Sequence, residues 1–324
     1  MLITRTPLRV SFLGGGTDLP WFSNEHEGLV ISTSINKYVY LTAHPLLEQD
    51  QIILKYSKTE HVNDVESLAH PIARTVLGDL SISGIDIGVT SDLPAGTGMG
   101  SSSAFTVGLG HISNAFLGRY QSARELAEYA CKVELDILNE PIGKQDQIAS
   151  AFGGLNLIYF TREGKFEVKK LALQRDSLNY LSNSLVLIRF GGTRSASKIL
   201  ENQTKSIQND KIKIRNLIKL KELTENSVET FIHQPEMLGE LLWKSWELKF
   251  SLSAGDENLK ADEFIKFAIE NGATGGKLLG AGQSGFILLQ IPPQVREKVL
   301  RKIGNPSVVE FEFENLGSTI IYDA

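Results

Sequence analysis

The 324-residue chain has a single cysteine, Cys131. A lone cysteine cannot form an internal disulfide bond, which is typical of a reducing compartment, so we expect a cytoplasmic location. No uninterrupted apolar run approaches the ~18 residues of a membrane span, and the N-terminus lacks the apolar region of a signal peptide. The six histidines show no spacing typical of a zinc site. We therefore expect no disulfide framework, no membrane span and no zinc centre.

The chain also lacks an excess of basic residues. Its 33 Lys and Arg residues face 38 Asp and Glu residues, and the formal net charge is −5. Because binding to nucleic-acid phosphates favours a basic surface, we expect no nucleic-acid partner. Hydrophobic residues make up 42% of the chain, an ordinary share for a globular protein. These properties predict a small-molecule partner and no membrane partner, and we also consider a homodimer as the assembly state.

Hydrophobic periodicity predicts an α+β protein in two parts. Strand-like runs occur near 5–13, 29–43, 51–57 and 82–91, in a hairpin at about 153–173, at 185–190, and in SGFILLQI, VVEFEF and STIIYD. Helix-like runs occur at 103–117 and 122–138, across most of 195–272, and in PQVREKVLRKIG. The pattern changes after the apolar run at 185–190. We therefore predict an N-terminal domain over 1–185 and a C-terminal domain over 186–324.

The most informative stretch is LPAGTGMGSSSA, at 93–104. It lies between a strand-like run and a helix-like run, so its glycines lead into a helix N-terminus. Glycines let the backbone approach a ligand closely, and the first N–H groups of a helix point towards an anion. The pattern predicts a phosphate-binding loop whose serines cap the helix or ligate Mg²⁺. Its candidate nucleotide contacts are Pro94, Gly96, Gly98, Gly100, Ser101, Ser102 and Ser103.

This loop is not a Walker A motif, which requires G-x-x-x-x-G-K-[ST]. No lysine follows Gly100, and Lys277 lacks the first glycine of the motif, since Asn271 lies six residues before it. The alternative to a phosphate-binding loop is a plain glycine turn with a serine cap. The proline, the three spaced glycines and the serine triplet together favour phosphate binding.

A second glycine cluster lies near the N-terminus. Gly14, Gly15 and Gly16 follow an apolar run and precede Thr17 and Asp18. The backbone there is free to turn tightly and approach a ligand, and the aspartate is suited to accept hydrogen bonds from sugar hydroxyls. The alternative is a strand-to-loop turn stabilised by the aspartate side chain.

Three further features stand out later in the chain. Five glycines in the eleven residues 275–285 predict a close backbone approach to another group, with a structural loop as the alternative. Asp146, in EPIGKQDQIASAFGG, lies before a helical turn of small residues, where an aspartate is also a common helix cap. Glu134 lies twelve residues earlier in a helix-like run and, taken alone, would be a surface residue.

Taken together, these segments resemble the GHMP kinase superfamily, which includes galactokinase, homoserine kinase and mevalonate kinase. TPLRVSFLGGGTD resembles the first family motif, LPAGTGMGSSSA the second and KLLGAGQSGFILL the third. The motifs span residues 6 to 289, so the resemblance covers nearly the whole chain. It implies an N-terminal domain like ribosomal protein S5 domain 2, a ferredoxin-like C-terminal domain, and ATP bound between them.

The resemblance also implies roles for single residues. Ser102 matches a serine that ligates Mg²⁺, and Glu134 matches the helix glutamate that completes the metal site. Asp146 matches the aspartate proposed as base for the acceptor hydroxyl. Arg9 matches the basic residue close to that aspartate, and Asp18 matches the acidic end of the first motif, which holds sugar hydroxyls. ATP and Mg²⁺ are thus the implied cofactors.

Within the superfamily, the chain resembles the sugar kinases of bacterial heptose synthesis. SFLGGGTDLPWF, PIGKQDQIASAFGG, FGGTRSASKIL and GATGGKLLGAGQSGF carry this resemblance. It implies ATP-dependent phosphorylation of the anomeric hydroxyl of D-glycero-D-manno-heptose 7-phosphate to the 1,7-bisphosphate, in nucleotide-heptose synthesis. L-fucose kinase domains share much of the pattern, so a kinase of L-fucose or another free sugar is the alternative. A catalytically silent sugar-sensing regulator is the alternative from another class.

A sugar phosphate needs an anion site about one sugar length from Asp146. Arg194 is the first candidate, because glycines precede it and hydroxyls follow it at the start of a predicted helix. Its alternative is an ion pair across the domain junction, and Lys144 is the second candidate. The third motif departs from its usual glycine run at Gln283 and Ser284. The full set of predicted substrate contacts is Gly15, Gly16, Thr17, Asp18, Lys144, Arg194 and Gly282.

Overall fold

The computed structural model describes residues 1–192, 201, 204–252, 256–280, 282 and 285–324. Its strands are Leu2–Leu13 (β1), Gly28–Pro45 (β2), Ile52–Lys55 (β3), Thr59–Val62 (β4), Ile85–Ser91 (β5), Leu155–Phe160 (β6), Phe166–Lys170 (β7), Leu185–Phe190 (β8), Gly275–Leu278 (β9), Gly285–Gln290 (β10), Val308–Val309 (β11) and Thr319–Asp323 (β12). Its principal helices are Pro20–His26 (α1), Pro71–Asp79 (α2), Ser101–Phe116 (α3), Ala123–Cys131 (α4), Gln145–Phe152 (α5), Arg175–Ser184 (α6), Lys211–Asn226 (α7), Val228–His233 (α8), Leu238–Phe250 (α9), Asp256–Glu270 (α10) and Arg296–Lys302 (α11). Within these residues, no helix combines the length and apolar character needed to cross a membrane.

The first sheet has the strand order β12-β1-β2-β5-β3-β4, and the predicted hairpin β6–β7 joins it through β2. The 18-residue strand β2 pairs with β6 through its first part and with β5 through its last part. Every residue from Thr6 to Leu13 in β1 is buried. Burial of both faces of a strand requires cover on both sides of the sheet, and α3 and α9 both contact β1.

The second sheet has the order β11-β8-β10-β9, and all its neighbouring strands are antiparallel. Counted along the chain, this is the order 4-1-3-2, built from a β-α-β-β-α-β sequence of elements as in ferredoxin-like folds. Helices α9 and α10 pack against it. The buried indole of Trp246 joins these helices, because its Nε1 donates to Asp262 Oδ1 at 3.0 Å. The predicted α+β class is confirmed.

Helix α3 lies close to the first sheet, which positions its N-terminus. Eleven of its sixteen residues are buried. Small residues permit this approach: a Cβ on Gly108 would lie 2.7 Å from Thr6 Oγ1. The backbone N–H of Arg9 in β1 donates to Met99 O at 3.1 Å. The loop that precedes α3 is therefore fixed directly beside β1.

The end of the chain returns to the first sheet. Glu314 N donates to Ser34 O at 2.9 Å, Ser318 N donates to Ser150 O at 3.0 Å, and β12 pairs with β1. The last strand of the segment predicted as the C-terminal domain, 186–324, therefore belongs to the first sheet.

Two consequences follow for the predicted domains. The strand predicted over VVEFEF is limited to Val308–Val309, because the residues after it bond to the first sheet instead. One hydrophobic cluster also contains side chains from both sheets, Val10 and Leu288 among them. The boundary near residue 185 thus stays a prediction, although β8 does begin the second sheet there.

The C-terminal return generates a stability prediction. A Cβ on Gly317 would lie 1.9 Å from Ala151 O, so Gly317→Ala must push the returning segment off α5. Overpacking of this kind costs about 1–3 kcal/mol, which lowers Tm by roughly 2–12 °C for a domain of this size. Thermal unfolding followed by circular dichroism measures the shift. The control is Gly78→Ala, whose Cβ would meet only Val65 Cγ1 at 3.9 Å within α2. Equal Tm values for the two variants would contradict the prediction.

Candidate active site

A cavity of about 700 Å³ lies where the glycine clusters meet. Its walls come from β1 and the loop after it, the loop before α3, the N-terminus of α5, and the last turn of α9. The predicted residues that line it are Arg9, Gly15, Gly16, Asp18, Gly96, Gly98, Gly100, Ser101, Ser102, Ser103, Glu134 and Asp146. The structure thus brings together most of the side chains singled out from the sequence.

The loop before α3 has a backbone that favours glycine at three positions. Gly96, Gly98 and Gly100 have φ values of +73°, +75° and +76°, in the left-handed region. Helix α3 begins immediately after them, at Ser101. The first N–H groups of a helix have no acceptor within it, so the end of this 16-residue helix presents donors to the cavity. The loop and helix together are suited to bind a phosphate group.

The third glycine cluster packs against this loop, backbone to backbone. A Cβ on Gly280 would lie 2.5 Å from Gly98 Cα, and a Cβ on Gly285 would lie 2.2 Å from Thr97 O. Only glycine permits such an approach without displacing the loop. The cluster therefore holds the loop from behind.

Arg9 and Asp146 form a two-pronged ion pair at the centre of the cavity. Arg9 Nε donates to Asp146 Oδ1 at 2.7 Å, and Nη2 donates to Oδ2 at 2.8 Å. Nη1 donates to Gly98 O at 2.7 Å. The arginine side chain is 4% exposed and that of the aspartate 24% exposed, so the carboxylate keeps an open side. This pair fixes the aspartate relative to the glycine loop, because one planar guanidinium donates both to the carboxylate and to the carbonyl oxygen of Gly98.

Glu134 lies on a π-helical turn, Lys132–Ile137, that continues α4. Such turns occur often at functional sites. The Glu134 carboxylate is 1% exposed and accepts hydrogen bonds from Ser102 Oγ at 3.2 Å and Gln147 Nε2 at 2.5 Å. Burial raises its pKa to about 7. Within the described residues, no basic side chain forms an ion pair with it.

This arrangement fits a Mg²⁺ ion shared with a nucleotide. Ser102 and Glu134 supply the hard oxygen donors that Mg²⁺ prefers, and the ion would compensate a buried carboxylate. The described residues contain no group of three or more His, Cys, Asp or Glu side chains that could hold a metal ion. Mg²⁺ commonly takes one or two protein oxygens together with substrate phosphates, so two donors beside a phosphate-binding loop agree with that mode.

Asp18 closes the cavity near the first glycine cluster. Its Oδ1 accepts from Gly16 N at 2.9 Å and from Gln145 Nε2 at 3.1 Å. The side chain is buried, and burial raises its pKa. A Cβ on Gly143 would lie 1.8 Å from its Oδ2, so a glycine is required where α5 approaches. Asp18 thereby joins the first motif to the helix that carries Asp146.

Two lysines in the cavity were not predicted as site residues. Lys249, in the last turn of α9, donates from Nζ to Gly280 O at 2.5 Å. Lys277, in β9, is 2% exposed and donates to Phe12 O at 3.0 Å. The sequence gives no signal for Lys249, which is one of two lysines in its helix, and Lys277 was considered only as a Walker lysine.

The structure does not support substrate contact by Lys144. Its Nζ donates to Gly164 O at 2.6 Å, in a separate cavity between α4 and the β6–β7 hairpin. The physical reason is helix geometry. Lys144 and Asp146 are two residues apart at the start of α5, so their side chains leave on nearly opposite sides.

Thr17, Pro94 and Gly282 likewise lie outside the cavity lining. Thr17 Oγ1 donates to Gly14 O at 2.8 Å and accepts from Leu29 N at 3.0 Å, so it fixes the turn instead. Pro94 is exposed, and its carbonyl oxygen accepts from Thr97 Oγ1 at 2.8 Å. Gly282 lies against the side chain of Asn258. Arg194, Gln283 and Ser284 are outside the described residues.

Comparison with known proteins places this geometry in context. The family model "GHMP kinases N terminal domain" matches residues 65–154. D-glycero-alpha-D-manno-heptose 7-phosphate kinase of Campylobacter jejuni is 28% identical, over 97% of this chain and 97% of its own. The bifunctional fucokinase/GDP-fucose pyrophosphorylase of Arabidopsis thaliana is 26% identical over 91% of this chain, which spans 30% of that protein.

The fold is shared as well. The structure of a D-glycero-D-manno-heptose 1-phosphate kinase from Bacteroides thetaiotaomicron superposes with a TM-score of 0.80 at 23% identity, and the whole of both chains is covered. The matched N-terminal segment contains the glycine loop, Glu134 and Asp146, and the full-length relative extends the match to the other two motifs. Residues 65–154 thus match the N-terminal domain of GHMP kinases, and the whole chain is similar in sequence and fold to sugar kinases that carry this domain.

Proposed function

We propose that the protein is an ATP-dependent sugar kinase that phosphorylates the anomeric hydroxyl of D-glycero-D-manno-heptose 7-phosphate to the 1,7-bisphosphate. The observation that carries this proposal is the Arg9–Asp146 pair, fixed by a third hydrogen bond to the carbonyl of Gly98 in the glycine loop. A carboxylate held at a set distance from a phosphate-binding loop is what transfer of a phosphoryl group to a hydroxyl requires.

Asp146 has the central role in the proposed reaction. Its oxygens already accept two N–H bonds from Arg9, and its open side faces the cavity. It orients the acceptor hydroxyl and receives its proton as the hydroxyl oxygen bonds to the γ-phosphorus and the bond to ADP breaks. Asp18, Ser11 and Gln145 on the adjoining wall are positioned to hold the other hydroxyls of the sugar.

The glycine loop and α3 bind the nucleotide phosphates. Backbone N–H groups that are fixed before the reaction stabilise the developing charge without reorganisation. Ser102 and Glu134 would hold Mg²⁺, which supplies neutralisation of the phosphate oxygens when bound. The close contact between Gly98 and Gly280 keeps the loop from moving away from Asp146.

The relatives differ in the acceptor that their names give. One is named for heptose 7-phosphate, a second for heptose 1-phosphate and a third for fucose. The relative named for heptose 7-phosphate matches over the full length of both chains, which favours that acceptor. A kinase of free L-fucose or another free sugar is the alternative within the family. A catalytically silent sugar sensor is disfavoured because Arg9, Ser102, Glu134 and Asp146 occur together in one cavity.

A substrate panel tests the proposal. The purified protein with Mg²⁺ and ATP is given heptose 7-phosphate, heptose 1-phosphate, free heptose, L-fucose and galactose, and ADP release is followed by a coupled assay. The highest kcat/KM is expected with heptose 7-phosphate, and phosphorus NMR of the product should show a new anomeric phosphate. A higher kcat/KM with a free sugar would show that the proposed acceptor is wrong. Absence of turnover with every sugar would favour the catalytically silent sugar sensor.

The role of Asp146 gives the next prediction. Asp146→Asn should lower kcat by roughly 10²–10⁴-fold, the usual range for a lost acid–base or orienting group. The KM for ATP should change little, because the loop N–H groups remain. The control is Asp50→Asn, which removes the same charge from an exposed loop. An Asp146→Asn enzyme with near-normal turnover would reduce this residue to a structural partner of Arg9.

The proposed metal site gives a further prediction. Ser102→Ala and Glu134→Gln should each raise the Mg²⁺ concentration needed for half-maximal rate, since each removes one oxygen donor. If both act on one ion, the double variant should lose less than the sum of the single losses, expressed as free energies. The measurement is initial rate against free Mg²⁺ at fixed ATP. Additive losses, or an unchanged metal dependence, would argue against a shared ion.

A further inference from the structure

Two lysine side chains line the cavity without a place in the reaction described above. Lys249 is half-buried and Lys277 is almost fully buried, and each donates from Nζ to a backbone carbonyl. Among the described residues, neither lies within ion-pair distance of a carboxylate. Buried or half-buried ammonium groups are costly unless an anion compensates them.

The electrostatics of the cavity show that this compensation is incomplete. Burial, followed by the nearby guanidinium of Arg9, lowers the pKa of Lys249 to about 8. Burial, with Lys249 and Arg9 close by, lowers the pKa of Lys277 well below its usual value. Both oxygens of Asp146 already accept bonds from Arg9. An anion bound beside the two lysines would therefore stabilise their protonated forms.

A third polar group in the wall of the cavity is the hydroxyl of Ser11. Ser11 is 6% exposed, and its Oγ has no hydrogen-bond partner among the described residues. It lies beside Gly15, since a Cβ there would be 3.2 Å from that Oγ. A buried hydroxyl without a partner, in the wall of a cavity, points to a polar ligand.

We propose that Lys249 and Lys277 form a subsite for the phosphate monoester of the acceptor sugar. The inference rests on the proposed function, because it deepens the identity of the acceptor. A phosphate monoester is a dianion whose oxygens accept short, charge-assisted hydrogen bonds from ammonium groups. With its phosphate held by the lysines, a sugar can extend towards Asp146 with the hydroxyl at its other end.

The terminal phosphate of ATP is also an anion that ammonium groups can bind. The two lysines could therefore bind either the sugar phosphate or the nucleotide. Lys277 bonds to Phe12 in β1, directly before the loop of Gly14, Gly15 and Gly16 that leads to Asp18. This is the wall assigned to the sugar, whereas the nucleotide phosphates lie at the glycine loop before α3. The position of Lys277 therefore favours the acceptor.

The test uses Lys249→Met, which removes the charge, and Lys249→Arg, which retains it. Isothermal titration calorimetry without nucleotide measures binding of heptose 7-phosphate and free heptose. We expect Lys249→Met to weaken binding of the sugar phosphate at least tenfold, to leave free heptose within twofold, and Lys249→Arg to recover part of the loss. In steady-state kinetics the KM for ATP should stay within twofold. Lys244→Met is the matched control, on the same helix but exposed and paired with Glu240.

The outcomes distinguish a sugar-phosphate subsite from a role of Lys249 in nucleotide binding or in loop structure. A Lys249→Met protein that binds heptose 7-phosphate like wild type overturns the subsite, and so does equal weakening of both sugars. A raised KM for ATP with unchanged sugar binding assigns the lysine to the nucleotide, or to holding Gly280 behind the loop. If wild type binds heptose 7-phosphate through Lys249 but does not phosphorylate it, the subsite stands and the proposed kinase function fails.

Discussion

The arrangement of the candidate active site depends on one buried guanidinium. Arg9 projects from β1, and its side chain bonds to Asp146 on α5 and to Gly98 in the glycine loop. Taking such a charge out of water is costly, and the cost is offset only when paired geometry and further hydrogen bonds satisfy the group. Here three of its N–H groups have acceptors at 2.7–2.8 Å. One side chain thus sets the distances among strand, loop and helix that the proposed transfer needs.

The sequence predicted those parts of this site whose conformation depends on residues that are close together in the chain. Three glycines with left-handed φ and a following helix are a local pattern, and the loop before α3 adopts it. The density of glycine at 275–285 predicted a close backbone approach to another group, and the structure gives the partner as Gly98 and Thr97. The number of glycines indicates that another group lies close to this backbone, whereas only the fold determines which group it is.

The parts that the sequence did not predict depend on distant segments. Lys144 resembled a substrate contact because it lies near Asp146 in the chain, but helical rotation turns it to another cavity. Lys249 is 103 residues beyond Asp146, and only the packing of α9 brings it to Gly280. The last strand, β12, pairs with the first, β1, across almost the full length of the chain. The hydrophobic periodicity of the sequence gives no information on contacts between segments that lie so far apart in the chain.

Under the proposed function the cavity must hold two phosphorylated substrates, and its charged groups suit that requirement. Nucleotide and sugar phosphate both carry negative charge, and they would repel each other strongly where water is excluded. The helix N-terminus and a metal held by Ser102 and Glu134 would balance the first, and Lys249 and Lys277 the second. Between them, Arg9 and Asp146 cancel each other's charge. In the proposed reaction the acceptor hydroxyl and the γ-phosphate would therefore meet beside a neutral pair. The proton that the hydroxyl gives to Asp146 stays within the site, so the net charge of the site as a whole does not change.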